Sequence, residues 1–320
     1  MRMNHRIALA VSAIAFTLLP SHASACSSCG CSLSSDWASQ GYASAEGWRF
    51  DLRYDYFDQD DLRSGTGRVD RASLEVPNER EIQQRTVNRN YLATLDYSPN
   101  ADWGVSVQLP YFDRFHTTIA PGDTDVSTSH GKGLGDVRLM ARYIALTETR
   151  DVGVQAGIKF ATGRFHDTFI DGPQAGEPLD RGLQLGTGTT DLLLGIYNFG
   201  SIDPHWEYFD QALLQQPLNS REGFKPGTGF NANFGIRYVA NANVVPQLQL
   251  NVRVEGREKG VNADVENSGA TLAYLSPGVA VTLGHDWQGY AFVQVPVYQR
   301  VNGFQIEPKY TASVGLHHAF

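Results

Sequence analysis

Apolar and polar side chains alternate with a period of two along most of this chain, and this pattern constrains its fold more than any other feature. Successive side chains of a β-strand point to opposite faces, so each alternating segment predicts a strand with one apolar and one polar face. Twelve such segments follow one another between Gly47 and Phe320. The chain is therefore expected to be all-β.

The amino terminus predicts export. Arg2 and Arg6 precede an apolar run from Ile7 to Leu19, and Ala23-Ser24-Ala25 follows. This order is typical of a secretory signal peptide over residues 1–25, with cleavage before Cys26. No later stretch approaches the roughly 20 apolar residues that a membrane helix needs. Residence in a membrane would therefore require a closed β-barrel, because the edges of an open sheet leave backbone polar groups unpaired in lipid.

Two regularities favour a transmembrane barrel over a soluble β-sandwich. Connections between segments alternate between short and long, as in barrels with short periplasmic turns and longer external loops. The longest predicted loops are Asp58 to Arg85, Asp113 to Lys132 and Gly163 to Gly186. Trp48, Trp103, Trp206 and Trp287 begin odd-numbered segments, which places them at one membrane interface. The prediction is an up-and-down antiparallel barrel of about 12 strands over residues 47–320, with both termini periplasmic.

The last strand supports the same location. It resembles the closing strand of Gram-negative outer-membrane barrels, whose terminal aromatic residue is read by the barrel-assembly machinery; here that residue is Phe320. The resemblance implies residence in the outer membrane, with outer-membrane lipid and the assembly machinery as partners.

In such a barrel the polar set of side chains, which alternates with the apolar set along each strand, faces the lumen. Its charged members are the candidate lumen-lining residues, and their mixed signs predict ion pairs across neighbouring strands. A twelve-stranded barrel lies between those filled by side chains and those with an aqueous channel, so a narrow pore and a plugged lumen both stay open. The lumen candidates are Arg49, Asp51, Arg53, Asp55, Asp96, Asp136, Arg138, Arg142, Lys159, Asp191, Arg237, Arg253 and Glu255.

Three stretches resemble a known family. They are GKGLGDVRLMARY (Gly131 to Tyr143), KFATG (Lys159 to Gly163) and LQLGTGTTDLLLGIYNF (Leu183 to Phe199). Together they resemble the outer-membrane family labelled as the MetA pathway of phenol degradation. That resemblance implies a transporter-like barrel that passes small molecules, often hydrophobic or aromatic ones. The glycines are not a phosphate-binding loop, since no Gly-Lys-Ser/Thr ending and no strand-then-helix context accompanies them.

The cysteines form the one cluster that a barrel does not require. Cys26, Cys29 and Cys31 all follow the predicted cleavage site. In an oxidising compartment they predict a disulfide with one thiol left over. A soft metal site for Cu(I) or zinc, or a lipid anchor at Cys26, are the alternatives. The segment 26–46 is long enough to enter the lumen from the periplasm as a plug, or to meet a periplasmic partner.

Other function classes receive little support. The net charge of -8 argues against a nucleic-acid partner. The histidines show no metal-ligand spacing, and no arrangement typical of nucleophilic catalysis is present, so no catalytic residue is predicted. The leading hypothesis is a passive outer-membrane channel for small molecules. The alternative is a barrel that anchors the cysteine segment and presents it to a metal or redox partner.

Overall fold

The computed structural model describes Gln40 and residues 46–320, and within them nearly all regular structure is β. The predicted signal peptide, the three cysteines and most of segment 26–46 lie outside the described residues. The strands are β1 (Gly47–Gly65), β2 (Gly67–Arg68), β3 (Ile82–Ser98), β4 (Trp103–Ile119), β5 (Ser127–Leu134), β6 (Arg138–Tyr143), β7 (Val152–Lys159), β8 (Asp191–Ser201), β9 (Trp206–Pro217), β10 (Gly229–Tyr238), β11 (Val244–Glu255), β12 (Ala270–Gly284) and β13 (Trp287–Ala319).

The sheet closes on itself. Eleven strands form a ring in the order β1, β3, β4, β6, β7, β8, β9, β10, β11, β12 and β13, each antiparallel to the next. The pairing of β13 with β1 closes the ring. The short strands β2 and β5 extend this ring, β2 beside β1 and β5 beside β4. Closure leaves no open edge in the lipid, which is the condition for a β-sheet to span a membrane. The predicted transmembrane barrel is confirmed.

The strand count follows from the length of β13. Its first half, 287–301, pairs with β12, and its second half, 301–319, pairs with β1. Since all pairings in the ring are antiparallel, the chain must reverse between these halves, and it does so at Gly303, whose φ of 58° suits a tight turn. With β13 counted twice and β5 and β6 as one interrupted strand, the described residues cross the wall twelve times.

The two rims of the barrel differ as the sequence predicts. Short turns at 99–102, 202–205, 239–243 and 285–286 join strands at one rim. Trp48, Trp103, Trp206 and Trp287 lie at the same rim, beside the hydrogen bond from the Phe320 amide to the Trp48 carbonyl (2.9 Å). Longer connections at 66–81, 160–190, 218–228 and 256–269 lie at the opposite rim, the outer mouth. The described residues contain no helix long and apolar enough to cross a membrane.

Several strands run further toward the mouth than predicted. β1 continues to Gly65, β4 to Ile119, and β5 begins at Ser127, inside stretches expected to be loops. These extensions carry polar residues on both faces, such as His116 and Thr117 in β4. They lie beyond the apolar band, so the alternation that reveals a strand in lipid is lost there while the backbone ladder continues.

One side of the interior is filled with apolar side chains. Leu272 and Tyr274 of β12 pack with Val301 of β13, and Tyr290 and Phe292 of β13 pack beneath Ala280. A third buried cluster joins Leu62, Ile82 and Ile306 near the mouth. These side chains narrow the lumen along the β12–β13 wall, so the open space lies on the side of β1 and β3 to β11.

Candidate functional site: the barrel lumen

The lumen holds a cavity of about 420 Å³. Charged side chains and apolar side chains both line it. The apolar part includes Phe57, Leu92, Phe112, Met140, Leu193 and Leu213 from the wall, with Leu185, Phe224 and Pro226 from loops at the mouth. A volume of this size admits a small organic molecule, and the mixed lining suits one that has both an apolar body and a polar group.

The predicted lumen residues face the interior. Ten of the thirteen line the cavity: Arg49, Asp51, Arg53, Asp55, Asp96, Asp136, Arg138, Lys159, Arg253 and Glu255. The other three belong to ion pairs in the wall. Arg142 pairs with Asp96, Asp191 with Lys159, and Arg237 with Glu207. Whether any of these residues contacts a passing molecule stays a prediction.

Three arginines meet near the middle of the lumen. Arg53 pairs with Asp55 (3.0 Å) and Arg253 with Glu255 (2.8 Å). The charges of Arg253 and Arg53 repel that of Arg138, and the charges of Asp191 and Asp136 attract it. Among the described residues it has no carboxylate at ion-pair distance, and its hydrogen bond to the Gln215 side chain is long at 3.5 Å. Arg138 therefore presents to the cavity a guanidinium that no carboxylate of the described residues contacts directly.

Two ion-pair networks brace the wall on either side of the arginines. Toward the tryptophan rim, Asp96 accepts from both Arg49 and Arg142, and Arg142 also donates to Ser98 Oγ (2.7 Å). Toward the mouth, Lys159 bridges Asp136 (2.9 Å) and Asp191 (3.1 Å). Each carboxylate of these networks is bound by at least one cation. The networks stiffen the barrel, and such pairing is needed for charges removed from water.

The loop 160–190 folds over the cavity at the mouth. Arg114 of β4 donates to the carbonyls of Gly182 (3.1 Å) and Gln184 (3.3 Å), which holds a short 3-10 turn (Arg181–Leu183) above the lumen. Leu185, Gly186 and Thr187 of this loop line the cavity. The loop forms the roof of the cavity and narrows the way in.

Asp136 anchors both ends of this loop. It lies in the break between β5 and β6 and accepts from the Gly163 amide (3.0 Å) and the Thr187 amide (2.9 Å). The backbones of Gly163 and Gly186 touch, since a Cβ on Gly186 would lie 2.4 Å from the Gly163 carbonyl oxygen. Asp136, Gly163 and Thr187 each come from one of the three stretches that carry the family resemblance, so these stretches meet at one place.

The guanidinium of Arg181 links the roof to a second loop. Its carbon lies 4.4 Å from the Phe165 ring centroid and 4.9 Å from that of Phe224 in the loop 218–228. His166 and Arg181 also approach Glu222, at 3.0 and 3.6 Å. The pKa of Glu222 is held below its usual value, chiefly by the hydrogen bond from His166. The mouth is thus constricted by loops that contact one another as well as the barrel.

Sequence reasoning did not identify Arg114, Arg181 or the inward course of loop 160–190. Arg114 carries a signal that could have been used, because it shares the inward parity of β4 with Gln108 and Phe112. The cysteine candidates Cys26, Cys29 and Cys31 lie outside the described residues. Within the described part of the chain, no group of three or more histidines, cysteines or acids is arranged to hold a metal ion.

The fold is similar to that of a solved channel. The COG4313 outer membrane channel from Pseudomonas putida F1 superposes with a TM-score of 0.63 at 12% identity, covering 87% of this chain and 97% of that one. The toluene transporter TbuX of Ralstonia pickettii reaches 0.44 at 11% identity, covering 86% and 90%. The CymD monoaromatic hydrocarbon channel reaches 0.43 at 11%, covering 86% and 89%. No protein-family model and no curated protein matches the sequence. The similarity to the first channel supports the barrel fold.

Proposed function

We propose that this protein is an outer-membrane channel that admits small molecules, with the loop 160–190 as the constriction at its mouth. The observation that carries the proposal is the cavity inside a closed barrel, roofed by a loop held through Asp136 and Arg114. A barrel that served only as an anchor would need no such interior space. The outer membrane channel of Pseudomonas putida F1 has the same fold, which agrees with the proposal.

The side chains that line the cavity indicate which class of small molecule it can hold. Arg138 offers a cation, and Leu92, Phe112 and Met140 offer apolar surface, so the cavity fits small molecules that combine an apolar body with a polar or anionic group. The predicted membership in the MetA-pathway family is part of this proposal. Its support is that the three stretches resembling that family build the loop anchor around Asp136.

The amino-terminal segment 26–46 belongs to the proposal as a plug of the lumen. The supporting observation is Gln40, the single described residue of the segment before Glu46, which is 3% exposed. An exposed periplasmic tail would not bury a glutamine to this extent.

Solute flux tests the proposal. Liposomes that contain the mature protein are diluted into iso-osmotic solutions of uncharged solutes of increasing size, and swelling reports entry. A channel with this cavity should admit the smallest solutes and exclude disaccharides. Loop shortening between Arg164 and Arg181 should raise the size limit. Swelling rates equal to those of protein-free liposomes for every solute, with both of these forms and with a form lacking residues 26–46, would contradict a channel.

A further inference from the structure

Above the membrane band, one outward-facing acid is shared by three bases. Arg89 of β3, Asp113 of β4 and Lys132 of β5 are directly opposite one another in the strand register. Asp113 lies 3.8 Å from Arg89, 3.3 Å from Lys132 and 2.8 Å from His130. One carboxylate cannot neutralise two full cations, so this cationic patch keeps a net positive charge on a chain whose total is -8.

The patch faces sideways and not into the lumen. On the same face, two positions closer to the tryptophan rim along each of the three strands, lie Tyr91, Tyr111 and Leu134. All three are exposed to the surroundings of the barrel. The Tyr91 ring contacts those of Tyr54 and Tyr111, with centroids 4.9 and 6.2 Å apart. A row of aromatic residues between apolar side chains and charges is typical of a membrane interface.

The height of the patch agrees with the outer headgroup region. Asp113 follows Trp103 by ten residues on the same strand face. At about 3.3 Å per residue and a tilt of about 40°, ten residues rise about 25 Å, which is the height of the apolar band of such barrels. With Trp103 at one interface, Asp113 and its three bases lie at the other, beside the lipid headgroups of the outer leaflet.

The bases remain accessible there. The side chains of Arg89 and Lys132 are 41% and 52% exposed. An arginine fork and a lysine point charge side by side are donors suited to a phosphate group. Two other cations at this rim are each matched with one acid, Arg85 with Asp58 and Lys309 with Asp60. The shared acid distinguishes the patch at Arg89 and Lys132 from those pairs.

We infer that Arg89, His130 and Lys132 form a docking surface for the phosphate group of an outer-leaflet glycolipid. The acyl chains of such a lipid would lie along the apolar wall below Tyr91 and Tyr111, and its phosphate would meet the bases. Asp113 orients these bases and also competes with the phosphate for them. The inference rests on the placement of the barrel in the membrane and not on conduction.

The test uses the full mature chain in phosphatidylcholine nanodiscs titrated with bisphosphorylated lipid A, with bound lipid counted by native mass spectrometry. Loss of both charges in R89Q/K132Q should weaken binding about 30-fold, since each basic residue at a membrane surface contributes about a fivefold gain for an anionic lipid. The charge-matched control R68Q/R150Q changes two arginines outside the patch and should bind as the wild type does.

A second variant should change the affinity for lipid A in the opposite direction. D113N removes the competing carboxylate, so lipid A should bind more tightly than to the wild type, by about fivefold. Equal binding by the wild type, R89Q/K132Q and D113N would overturn the inference, as would equal binding of lipid A stripped of its phosphates. Displacement of the lipid by inorganic phosphate at a matched concentration of phosphate groups would show a site for free phosphate and would overturn the assignment to a lipid.

Discussion

Arg138 is the residue expected to have the clearest effect on permeation. Its charge faces the cavity without a carboxylate partner among the described residues, while Arg53 and Arg253 each have one. Replacing Arg138 by glutamine should shift ion preference toward cations by about threefold, the effect of one charge at about 7 Å from a passing ion in water. The reversal potential in a salt gradient across a planar bilayer measures this preference.

The matched control for that experiment is R150Q. Arg150 lies in a turn at the tryptophan rim, where it pairs with Asp102 outside the lumen, so its loss changes the total charge equally. The control should leave the reversal potential near that of the wild type. If R138Q and R150Q shift it equally, the charge at position 138 does not face the permeation path.

Gly186 tests the loop anchor at the residue scale. A methyl group there would lie 2.4 Å from the carbonyl oxygen of Gly163, which is backbone and cannot rotate away. G186A should destabilise the loop anchor by about 1–3 kcal/mol, the usual cost of overpacking, and should lower the melting temperature of the protein in detergent. At Gly229 the nearest atom to an added Cβ is 3.8 Å away, so G229A should melt close to the wild type. Equal melting temperatures of G186A and G229A would show that the glycine contact does not hold the loop.

At the element scale, the outer loops meet through buried acids. Glu81, Glu258 and Asp264 are buried where the loops 66–81 and 256–269 approach Asp180 of the roof. Burial raises the pKa of Asp264 to about 6. The pKa of Asp180 is also raised, first by burial and then by the charges of Asp264, Glu258 and Glu81. These acids can be packed together readily only when some of them are protonated.

The packing of the outer loops should weaken as pH rises. A raised folded-state pKa stabilises the packed loops fully below the ordinary value of 3.8, and that stabilisation is lost as pH rises through about 6. Limited proteolysis within residues 256–269 should therefore be faster at about pH 8 than at about pH 5, relative to cleavage of an unstructured reference peptide. D264N should reduce this dependence. D125N, at an exposed acid in another outer loop, should keep it. Identical pH profiles for D264N and the wild type would exclude Asp264 as the cause.

The elements also show what a sequence can and cannot predict. Within the apolar band, alternation identifies the strands, because lipid on one side and water on the other impose opposite demands on successive residues. Beyond the band β4 and β5 carry polar side chains on both faces, so residues 113–119 and 127–132 lack the apolar-polar alternation and their sequence predicts a loop instead. The inward course of loop 160–190 depends on contacts of Arg114 and Asp136 with atoms far apart in the chain, which no local pattern encodes.

At the scale of the whole molecule, the barrel combines a stiff wall with a roofed interior. The inward parity of the candidate lumen residues could be predicted, since it follows from strand period alone. Their division into wall ion pairs, such as Arg237 with Glu207, and cavity groups, such as Arg138, could not be predicted. That division depends on register between strands and on the apolar packing that fills the β12–β13 side.

Whether ions pass through this barrel can be measured as single-channel conductance of the refolded mature chain in a planar bilayer, beside a form whose loop is shortened between Arg164 and Arg181. We expect small, discrete current steps for the mature chain and larger steps for the shortened-loop form, because that loop roofs the cavity. A companion form lacking residues 26–46 separates the effect of the proposed plug from that of the loop. Absence of current from all three forms, with folding verified by heat-modifiable migration on a gel, would contradict a channel through this barrel.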